Sequence, residues 1–373
     1  MTSEERFLLI NREVSQSSIS LSDPEIVKLI VRGLGDGAQV DKPIGPLTTF
    51  RVGGNARIFF ELDSEHSLER LFEVLNSYSV PILVIGNGSN LLVSDSGFDG
   101  LAIHLSGKFS EVSGFDSSEN AQYFDNQARG PERIVLCGAG LAMPVLARKT
   151  VARSLTGFEW AVGVPGTLGG GVAMNAGGHG SQISDCLEKA TIVSLDATSD
   201  NFALLRQVFA AEMDFSYRHS CVQSSDLVLW ASLKLAKASR SDSEKKLSEI
   251  VAWRRENQPG GHNCGSVFTN PQTPTAELGS DMINQAPQTP MAELGDDTIY
   301  SAGALIEMAG LKGFSVGQAS VSTKHANFIQ ADPGCSAQNV YDLILTIQER
   351  VEMRFGVRLK LEVKILGFDN DAV

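Results

Sequence analysis

The sequence lacks several features that would assign it to a broad class at once. Positive charge is in deficit, since 31 Lys and Arg stand against 44 Asp and Glu, a formal net charge of −13. Nucleic acids and anionic membrane surfaces attract proteins with basic stripes, so neither is expected as a partner. No apolar run approaches the ~18–20 residues that cross a bilayer, so membrane insertion is not expected either.

Cysteine is scarce and shows no pairing. The cysteines at 137, 186, 221, 264 and 335 are odd in number and form no Cys-x-x-Cys pair. This usage predicts a reduced, cytoplasmic protein without a disulfide framework or zinc ribbon. The acidic start MTSEER also lacks the basic region of a signal peptide. The loop histidines lack metal-ligand spacing, so no metal site is predicted.

Length and glycine are what the chain does have. Its 373 residues suffice for two or three domains at roughly 150 residues each. Apolar residues make up 42% of the chain and supply material for hydrophobic cores. Its 36 glycines amount to roughly 10% of the chain, against a usual ~7%.

Periodicity predicts alternating helices and strands. A capped helix is expected to start at Ser22–Asp23, with Pro24 in its first turn. Further helical patterns and strand patterns alternate along the chain, which indicates an α/β or α+β architecture. The helical patterns cover 66–80, 241–258 (expected to be amphipathic) and 341–356, and the strand patterns cover 189–196, 226–235 and the alternating segment 357–368.

The segment GNGSNLLV, residues 86–93, follows the apolar run ILVI. Successive backbone N–H groups in such a turn can bind an anion, and glycine allows a close approach. The alternative is an ordinary hairpin turn, for which Asn-Gly is typical. Spacing alone leaves both readings open.

The segment VGVPGTLGGGVAMNAGG, residues 162–178, is the glycine-densest part of the chain. So many glycines cost conformational entropy on folding, which favours a close approach by a ligand over a purely structural role. Two other glycine motifs do not complete a dinucleotide site. GLGDGA at 33–38 is not followed by an apolar helix, and CGAG at 137–140 lies between a strand and a helix but has Met143 at the third position and no acidic residue at the usual distance. The second is expected to be a tight connection.

Seven further segments follow one another between about Gly45 and Phe368. They read TTFRVGGNARIF, PILVIGNGSNLLVSDSGFDGLAI, GFEWAVGVPGTLGGGVAMNAGGHG, FSYRHS, GSVFTNP, SAGALIEMAGLKGFSVGQASVSTKHANFI and LKLEVKILGF. In this order they resemble the UDP-N-acetylenolpyruvoylglucosamine reductase family. The resemblance implies an α+β FAD-binding fold of the vanillyl-alcohol-oxidase type, with two α+β subdomains and a C-terminal α+β substrate-binding domain. The chain looks closer to the type that lacks an inserted tyrosine loop.

The same resemblance implies an activity. The expected reaction is reduction of UDP-N-acetylglucosamine enolpyruvate to UDP-N-acetylmuramate in peptidoglycan precursor synthesis, with bound FAD and with NADPH as co-substrate. The family's flavin-binding segments fall on Arg51, Gly53, Gly86, Asn87, Gly88, Ser89, Asn90, Gly163, Gly166, Thr167, Gly170 and Asn175. Positions expected near the substrate are Tyr217, Asn270 and Lys364.

Three residues take the expected catalytic roles. The family arginine falls on Arg218, although His219 replaces the acidic residue that usually follows it. Hydride addition to the enol ether leaves negative charge on the adjacent carbon and the carboxylate, and a bidentate arginine can stabilise that charge. Ser266 is the expected proton donor, assisted by neighbours because its own acidity is poor. Glu362 is expected to be protonated or to act through a hydrogen-bonded neighbour. Without the resemblance, Arg218 would be interpreted as stacking on a surface tyrosine, Ser266 as a serine in a turn, and Glu362 as part of a solvated ion pair.

The resemblance also suggests a division of the chain. We expect an N-terminal extension (1–40), an FAD-binding domain (41–237, with subdomains 41–105 and 106–237), a substrate-binding domain (238–350) and a final strand returning to the active site (351–373). A near-repeat, QTPTAELGS at 272–280 and QTPMAELGD at 288–296, is expected in a surface loop. The chain is expected to be a monomer.

Two alternatives differ in class. The first is another FAD oxidase or dehydrogenase of the same fold, acting on a small alcohol or sugar. The second is a non-catalytic protein that binds a nucleotide sugar. Cys264, two residues before Ser266, is expected to be a small residue near the site rather than a catalytic thiol, since no paired base is visible.

Overall fold

A computed structural model of the chain describes residues 21–113, 132–271, 292–294 and 297–368. These residues form two compact units. The first contains the described residues up to Lys42, together with Ala56–Asn87 and Asp99–Trp253. The second contains Pro43–Asn55, Gly88–Phe98 and the described residues from Arg254 onward. Residues 1–20 of the expected extension and most of the near-repeat lie outside the described residues.

Helices and strands alternate through the described chain. The helices are α1 Pro24–Leu34, α2 Glu65–Ser77, α3 Met143–Val151, α4 Leu168–Ala173, α5 Arg240–Asn257, α6 Ala302–Met308 and α7 Ala337–Phe355. The strands are β1 Ala38–Pro43, β2 Asn55–Leu62, β3 Ile82–Val84, β4 Leu91–Val93, β5 Phe98–Leu105, β6 Val112–Ser113, β7 Glu132–Gly138, β8 Leu155–Thr156, β9 Gly177–Gly178, β10 Ser181–Gln182, β11 Leu187–Ser194, β12 Arg206–Phe209, β13 Asp226–Lys237, β14 Ala292–Leu294, β15 Asp297–Ile299, β16 Ser315–Val316, β17 Ala319–Val321, β18 Ile329–Ala331 and β19 Lys364–Leu366.

Helix starts follow the capping residues in the sequence. Asp23 caps α1 by accepting a hydrogen bond from the Glu25 N–H, and Pro24 fills the first turn, as predicted. Ser336 caps α7 in the same way, and Gly356, at φ 66°, ends it in the left-handed conformation. The predicted helices at 66–80, 241–258 and 341–356 are therefore confirmed in type and place.

The first unit is built on two sheets. One has the strand order β1-β2-β5-β3, with β3 and β5 parallel. The other has the order β12-β11-β13-β7-β6, with β8 beside β13. Its core takes apolar side chains from both sheets and from α1, α2 and α3. Gly138 fits the predicted tight connection, because a Cβ there would collide with the main chain of Phe109.

The second unit is held together by β19, which pairs in parallel with β4. A three-stranded antiparallel sheet, β16-β17-β18, packs with α6 and α7 around a second apolar core. Strands β14 and β15 pair antiparallel inside the segment that was expected to be a loop. The two units divide the chain differently from the expected domains, whose boundaries remain a prediction.

Two predictions about elements hold only in part. Helix α5 faces the core along a narrow side, where Ser243 is buried and Leu247 and Ile250 pack partly buried against the first core, but its apolar Val251 and Trp253 are about half exposed. The segment 357–368 keeps its alternating burial, but only Lys364–Leu366 form a strand. A strand needs a hydrogen-bonded partner along its length, and β4 offers only three residues.

Candidate active site

The turn at residues 86–90 leaves its main-chain donors unused. None of the five N–H groups from Gly86 to Asn90 donates a hydrogen bond within the described residues. The side chains of Asn87 and Ser89 make none there either. A run of unpaired N–H groups favours an anion as ligand. An apolar ligand would displace water from these groups without replacing its hydrogen bonds, whereas phosphate oxygens accept hydrogen bonds from them.

The hairpin alternative for this turn is wrong. Strand β3, before the turn, pairs with β5, and strand β4, after it, pairs with β19. A hairpin turn would join two strands that pair with each other. The turn therefore makes a connection whose N–H groups are not fixed by a ladder.

Glycine is required at this turn for close packing. A Cβ on Gly88, which has φ +53°, would lie 2.7 Å from the Cα of Thr48. A Cβ on Gly86 would collide with the Thr167 hydroxyl. Gly53, at φ +111°, approaches the Val93 carbonyl in the same manner, with 2.5 Å from its ideal Cβ. These contacts explain the glycines without assigning each of them to a ligand.

Thr49 supplies a further polar group beside the turn. Its N–H donates to the Gly88 carbonyl at 3.1 Å, but its buried hydroxyl has no hydrogen-bond partner in the part of the chain that the structure describes. A buried hydroxyl without a partner is costly and points to a group that the protein itself does not contain. With the unused N–H groups of the turn, this hydroxyl fits the phosphates of a nucleotide cofactor.

Arg51 lies in the same segment, with φ +62°. Its guanidinium donates to the Pro46 carbonyl, and its N–H donates to the Thr48 hydroxyl at 3.2 Å. The side chain is therefore held against its own loop. Its predicted contact with a cofactor stays a prediction.

The glycine-dense segment 163–175 uses its main-chain donors internally. The N–H groups of Leu168 and Gly169 donate to Leu141 and Ala139, and that of Gly171 donates to Thr167. The Gly170 N–H donates to the Thr167 hydroxyl, which caps α4. A Cβ on Gly171 would lie 2.7 Å from the Met143 sulfur. Close packing accounts for much of this glycine content, whereas Gly163 and Gly166 remain candidates for cofactor binding.

Asn175 and Ser220 anchor the turn that carries Arg218. The Asn175 amide donates to the Ser216 carbonyl at 3.1 Å, and its oxygen accepts from the Ser184 N–H. The Ser220 hydroxyl donates to the Ala173 carbonyl at 2.8 Å. Arg218 itself has φ +58° and stacks over the Tyr217 ring at 5.1 Å. This turn presents a fixed positive charge beside an aromatic face.

Ser266 and Glu362 come from distant parts of the sequence but from paired segments. The Glu362 N–H donates to the Val267 carbonyl at 2.8 Å, and a bridge joins Phe268 to Leu361. The Ser266 hydroxyl makes no hydrogen bond within the described residues. The predicted proton donor and carboxylate therefore lie on neighbouring segments, and the hydroxyl is available to a ligand.

Asn90 fixes the other side of the Glu362 segment. Its amide donates to the Glu362 carbonyl at 2.9 Å, and its own carbonyl accepts from the Lys364 N–H at 3.0 Å. The exposed Lys364 side chain has no partner within the described residues. The Asn270 oxygen accepts from the Ala302 N–H at the start of α6. Asn90 and Asn270 thus have structural bonds beside their predicted ligand contacts.

Cys264 is buried near Glu362. Burial raises the pKa of its thiol, and the charge of Glu362 adds to the effect. A thiol with a raised pKa is a weak nucleophile, in agreement with a packing role. Among the described residues, no cluster of three or more His, Cys, Asp or Glu side chains could hold a metal ion. No helix in the described part is long and apolar enough to span a bilayer.

Comparison with known proteins identifies the class and then the family. Residues 56–199 match the profile of an FAD binding domain, and residues 257–366 match the C-terminal domain of UDP-N-acetylenolpyruvoylglucosamine reductase. These matches, with the unused donors of the turn, define an FAD-dependent flavoprotein. The expected α+β FAD-binding fold with a C-terminal α+β domain is confirmed.

Relatives that align with nearly the whole chain share one name. The UDP-N-acetylenolpyruvoylglucosamine reductase of Agathobacter rectalis is 36% identical over 89% of this chain and 94% of its own length. Reductase 1 of Bacillus anthracis is 36% identical over 88% and 94%. The crystal structure of the Thermus caldophilus reductase has a TM-score of 0.65 at 27% identity, covering 88% of this chain and 98% of its own. This chain belongs to the UDP-N-acetylenolpyruvoylglucosamine reductase family.

Sequence reasoning missed the Thr49 hydroxyl and the anchoring bonds of three asparagines. TTFRVGG was recognised as a flavin segment, but a motif does not show which hydroxyl lacks a partner. Thr48 and Thr49 look alike in sequence, yet the Thr48 hydroxyl is bonded to the Gly45 carbonyl. Only the fold distinguishes them.

Proposed function

We propose that this flavin-dependent oxidoreductase reduces UDP-N-acetylglucosamine enolpyruvate to UDP-N-acetylmuramate, with NADPH as reductant, through Arg218, Ser266 and Glu362. The observation that carries the proposal is the bond between Glu362 and Val267, which pairs the two segments bearing a carboxylate and a hydroxyl. In a chain of this family, that pairing supplies the acid–base half of the reaction. FAD bound here and reduced by NADPH would supply the hydride for the terminal carbon of the enolpyruvyl group.

Ser266 donates the proton that completes the reduction. Hydride at the terminal carbon leaves an electron pair at the adjacent carbon, and a proton from the serine hydroxyl makes the lactyl C–H bond. A serine is a poor acid on its own, so the growing carbanion and nearby groups must assist it. Its hydroxyl is suited to the task because it makes no bond to another described residue.

Glu362 acts beside this proton transfer. A carboxylate would repel the negative charge that develops on the substrate, so Glu362 works in its protonated form or through a hydrogen-bonded neighbour. Its main chain is held on both sides, by Val267 and by the Asn90 amide. A fixed backbone limits the reorganisation that the site needs during reaction.

Arg218 binds the substrate carboxylate. Its guanidinium is always charged and can hold a carboxylate by two parallel hydrogen bonds, which stabilises charge as it spreads from the reacting carbon. The stack on Tyr217 restricts the side chain before substrate arrives. Tyr217, Asn270 and Lys364 contact the remainder of the nucleotide sugar.

The cofactor phosphates bind at the turn 86–90. Its unused N–H groups and the Thr49 hydroxyl offer donors without adding positive charge. Local donors are needed because the chain carries a net charge of −13, which disfavours anionic ligands at long range. Salt screens that repulsion beyond ~8–10 Å, so short-range groups decide binding.

The test uses the purified, FAD-loaded protein without oxygen. NADPH should bleach the flavin, and the enolpyruvyl sugar should restore its absorbance while gaining two hydrogen atoms by mass spectrometry. A protein that stays colourless after FAD addition contradicts the proposal. Reoxidation by oxygen but never by the sugar would instead indicate an oxidase, and tight sugar binding without NADPH consumption would indicate a binding protein.

A further inference from the structure

Asn327, in the KHANFI segment, forms a two-point bond to the segment that carries Ser266. The Asn327 oxygen accepts from the Phe268 N–H at 3.0 Å, and its amide donates to the Phe268 carbonyl at 2.8 Å. The Val267 N–H donates to the Asn327 carbonyl at 2.9 Å. The Asn327 side chain thus pairs with the N–H and the carbonyl of Phe268, as the main chain of a neighbouring strand would. The two residues are 59 positions apart in sequence.

These bonds lie in a dry environment. Asn327 is 4% exposed, Phe268 1% and Val267 is fully buried. A buried N–H or carbonyl that loses its partner cannot turn to water, so the segment must move to recover the bond. Removing the amide therefore shifts the main chain rather than merely weakening a contact.

The loop before Asn327 is itself preorganised. The Ser322 hydroxyl accepts from the N–H groups of Lys324 and His325, and the Phe328 N–H donates to the His325 carbonyl. The Asn327 N–H donates to the His325 ring at 3.3 Å. Asn327 is therefore held in one orientation before it meets Phe268.

The opposite edge of the Ser266 segment is held by Glu362. The Val267 carbonyl accepts from the N–H of Glu362, and Asn90 bonds the carbonyl of Glu362 on its far side. The hydrogen bonds run in order from Asn327 through Val267 and Glu362 to Asn90. Because the Ser266 hydroxyl has no hydrogen-bond partner among the described residues, its position there is set by the main chain.

We propose that Asn327 is a positioning residue. Its two hydrogen bonds to the main chain of Phe268 fix the position from which the Ser266 hydroxyl donates its proton to the substrate. This inference rests on the proposed function for the role of Ser266. Asn327 touches neither substrate nor flavin in this account. Its substitution should impair proton donation to the substrate and leave flavin reduction by NADPH intact.

Two substitutions with one control make the test. Asn327→Ala removes both side-chain bonds and should slow reoxidation by the sugar about 100-fold, the loss associated with a ~1 Å misplacement. Asn327→Asp keeps the shape, and its acid form can still donate to the Phe268 carbonyl. Gln348→Met is the control, since Gln348 is another buried amide that donates to a carbonyl, that of Leu359.

The Asn327→Asp variant gives a signature that general destabilisation lacks. Burial raises the pKa of a carboxyl group, so this variant changes from carboxylate to acid as the pH falls. Its reoxidation rate relative to the wild type should rise as the pH falls, with flavin reduction unchanged. A ratio that stays constant with pH, equal slowing of both half-reactions, or equal slowing by Gln348→Met would overturn the inference.

A second readout separates this inference from the proposed function. If the sugar fails to reoxidise the wild-type flavin, the proposed function is wrong whatever the variants do. Crystal structures of the wild type and Asn327→Asp then decide the positioning role. Displacement of residues 265–268 at alkaline pH supports it, and an unmoved Ser266 overturns it.

Discussion

The turn at 86–90 and helix α4 at 168–173 are both rich in glycine, yet they use it differently. In the turn, none of the five N–H groups finds a partner within the described residues. In α4, the N–H groups from Leu168 to Gly171 are all bonded, and Gly171 packs against Met143. Glycine count alone does not distinguish a surface that receives an anion from one that receives another helix. The two kinds of surface are distinguished by whether the main-chain N–H groups already donate hydrogen bonds within the protein.

The largest effect is expected at Gly88. Gly88→Ala places a Cβ 2.7 Å from the Thr48 Cα at a positive φ, so the turn must change shape. FAD affinity should fall about 10- to 100-fold, or ~1.4–2.8 kcal/mol, by titration of the apoprotein. Gly334→Ala is the control, because Gly334 also has a positive φ (+86°) but a Cβ added there would meet no atom within 4 Å. Equal losses of affinity in the two variants would mean that backbone strain, not the shape of the turn, weakens binding.

Substitution of a tightly packed glycine in helix α4 should lower the stability of the protein rather than its affinity for FAD. Gly171→Ala forces a Cβ against the Met143 sulfur, and overpacking of this kind costs about 1–3 kcal/mol. Denaturant unfolding of the apoprotein measures the loss. Gly170→Ala, one residue earlier, meets nothing closer than 3.6 Å and should keep or raise stability. Weaker FAD binding by Gly170→Ala at unchanged stability would support its predicted contact with the cofactor.

A smaller effect is expected from two adjacent threonines. Thr49→Val removes the buried hydroxyl that has no partner, so the apoprotein should be no less stable. FAD affinity should fall about 5- to 10-fold, roughly the worth of one hydrogen bond. Thr48→Val is the matched change, because the Thr48 hydroxyl is bonded to the Gly45 carbonyl and its loss should destabilise the apoprotein. The opposite pattern would show that the Thr49 hydroxyl faces no ligand.

Much of the fold follows from the sequence. Caps such as Asp23 and the apolar spacing of α2 and α7 predict those helices, because both signals are local. The extent of the last strand does not follow, since pairing depends on β4, more than 250 residues away. Helix α5 is harder to predict for a related reason, since Leu247 and Ile250 pack against the first core whereas Val251 and Trp253 stay about half exposed.

The site was predictable as a set of segments but not as a set of contacts. Asn90, Asn175 and Asn270 match family motifs, and their amides bond Glu362, Ser216 and Ala302 in the structure. Each partner is between 32 and 272 residues away in sequence. A motif shows that an asparagine is present and not which of its atoms faces the protein. Their ligand contacts remain predictions.

The most direct test of the account is the two half-reactions of Ser266→Ala, followed without oxygen by flavin absorbance. The account predicts that NADPH reduces the flavin of the variant as fast as that of the wild type. Reoxidation by the enolpyruvyl sugar should slow about 10²- to 10⁴-fold, the contribution of a positioned proton donor. Equal slowing of both half-reactions, or reoxidation at the wild-type rate, would contradict the role of Ser266.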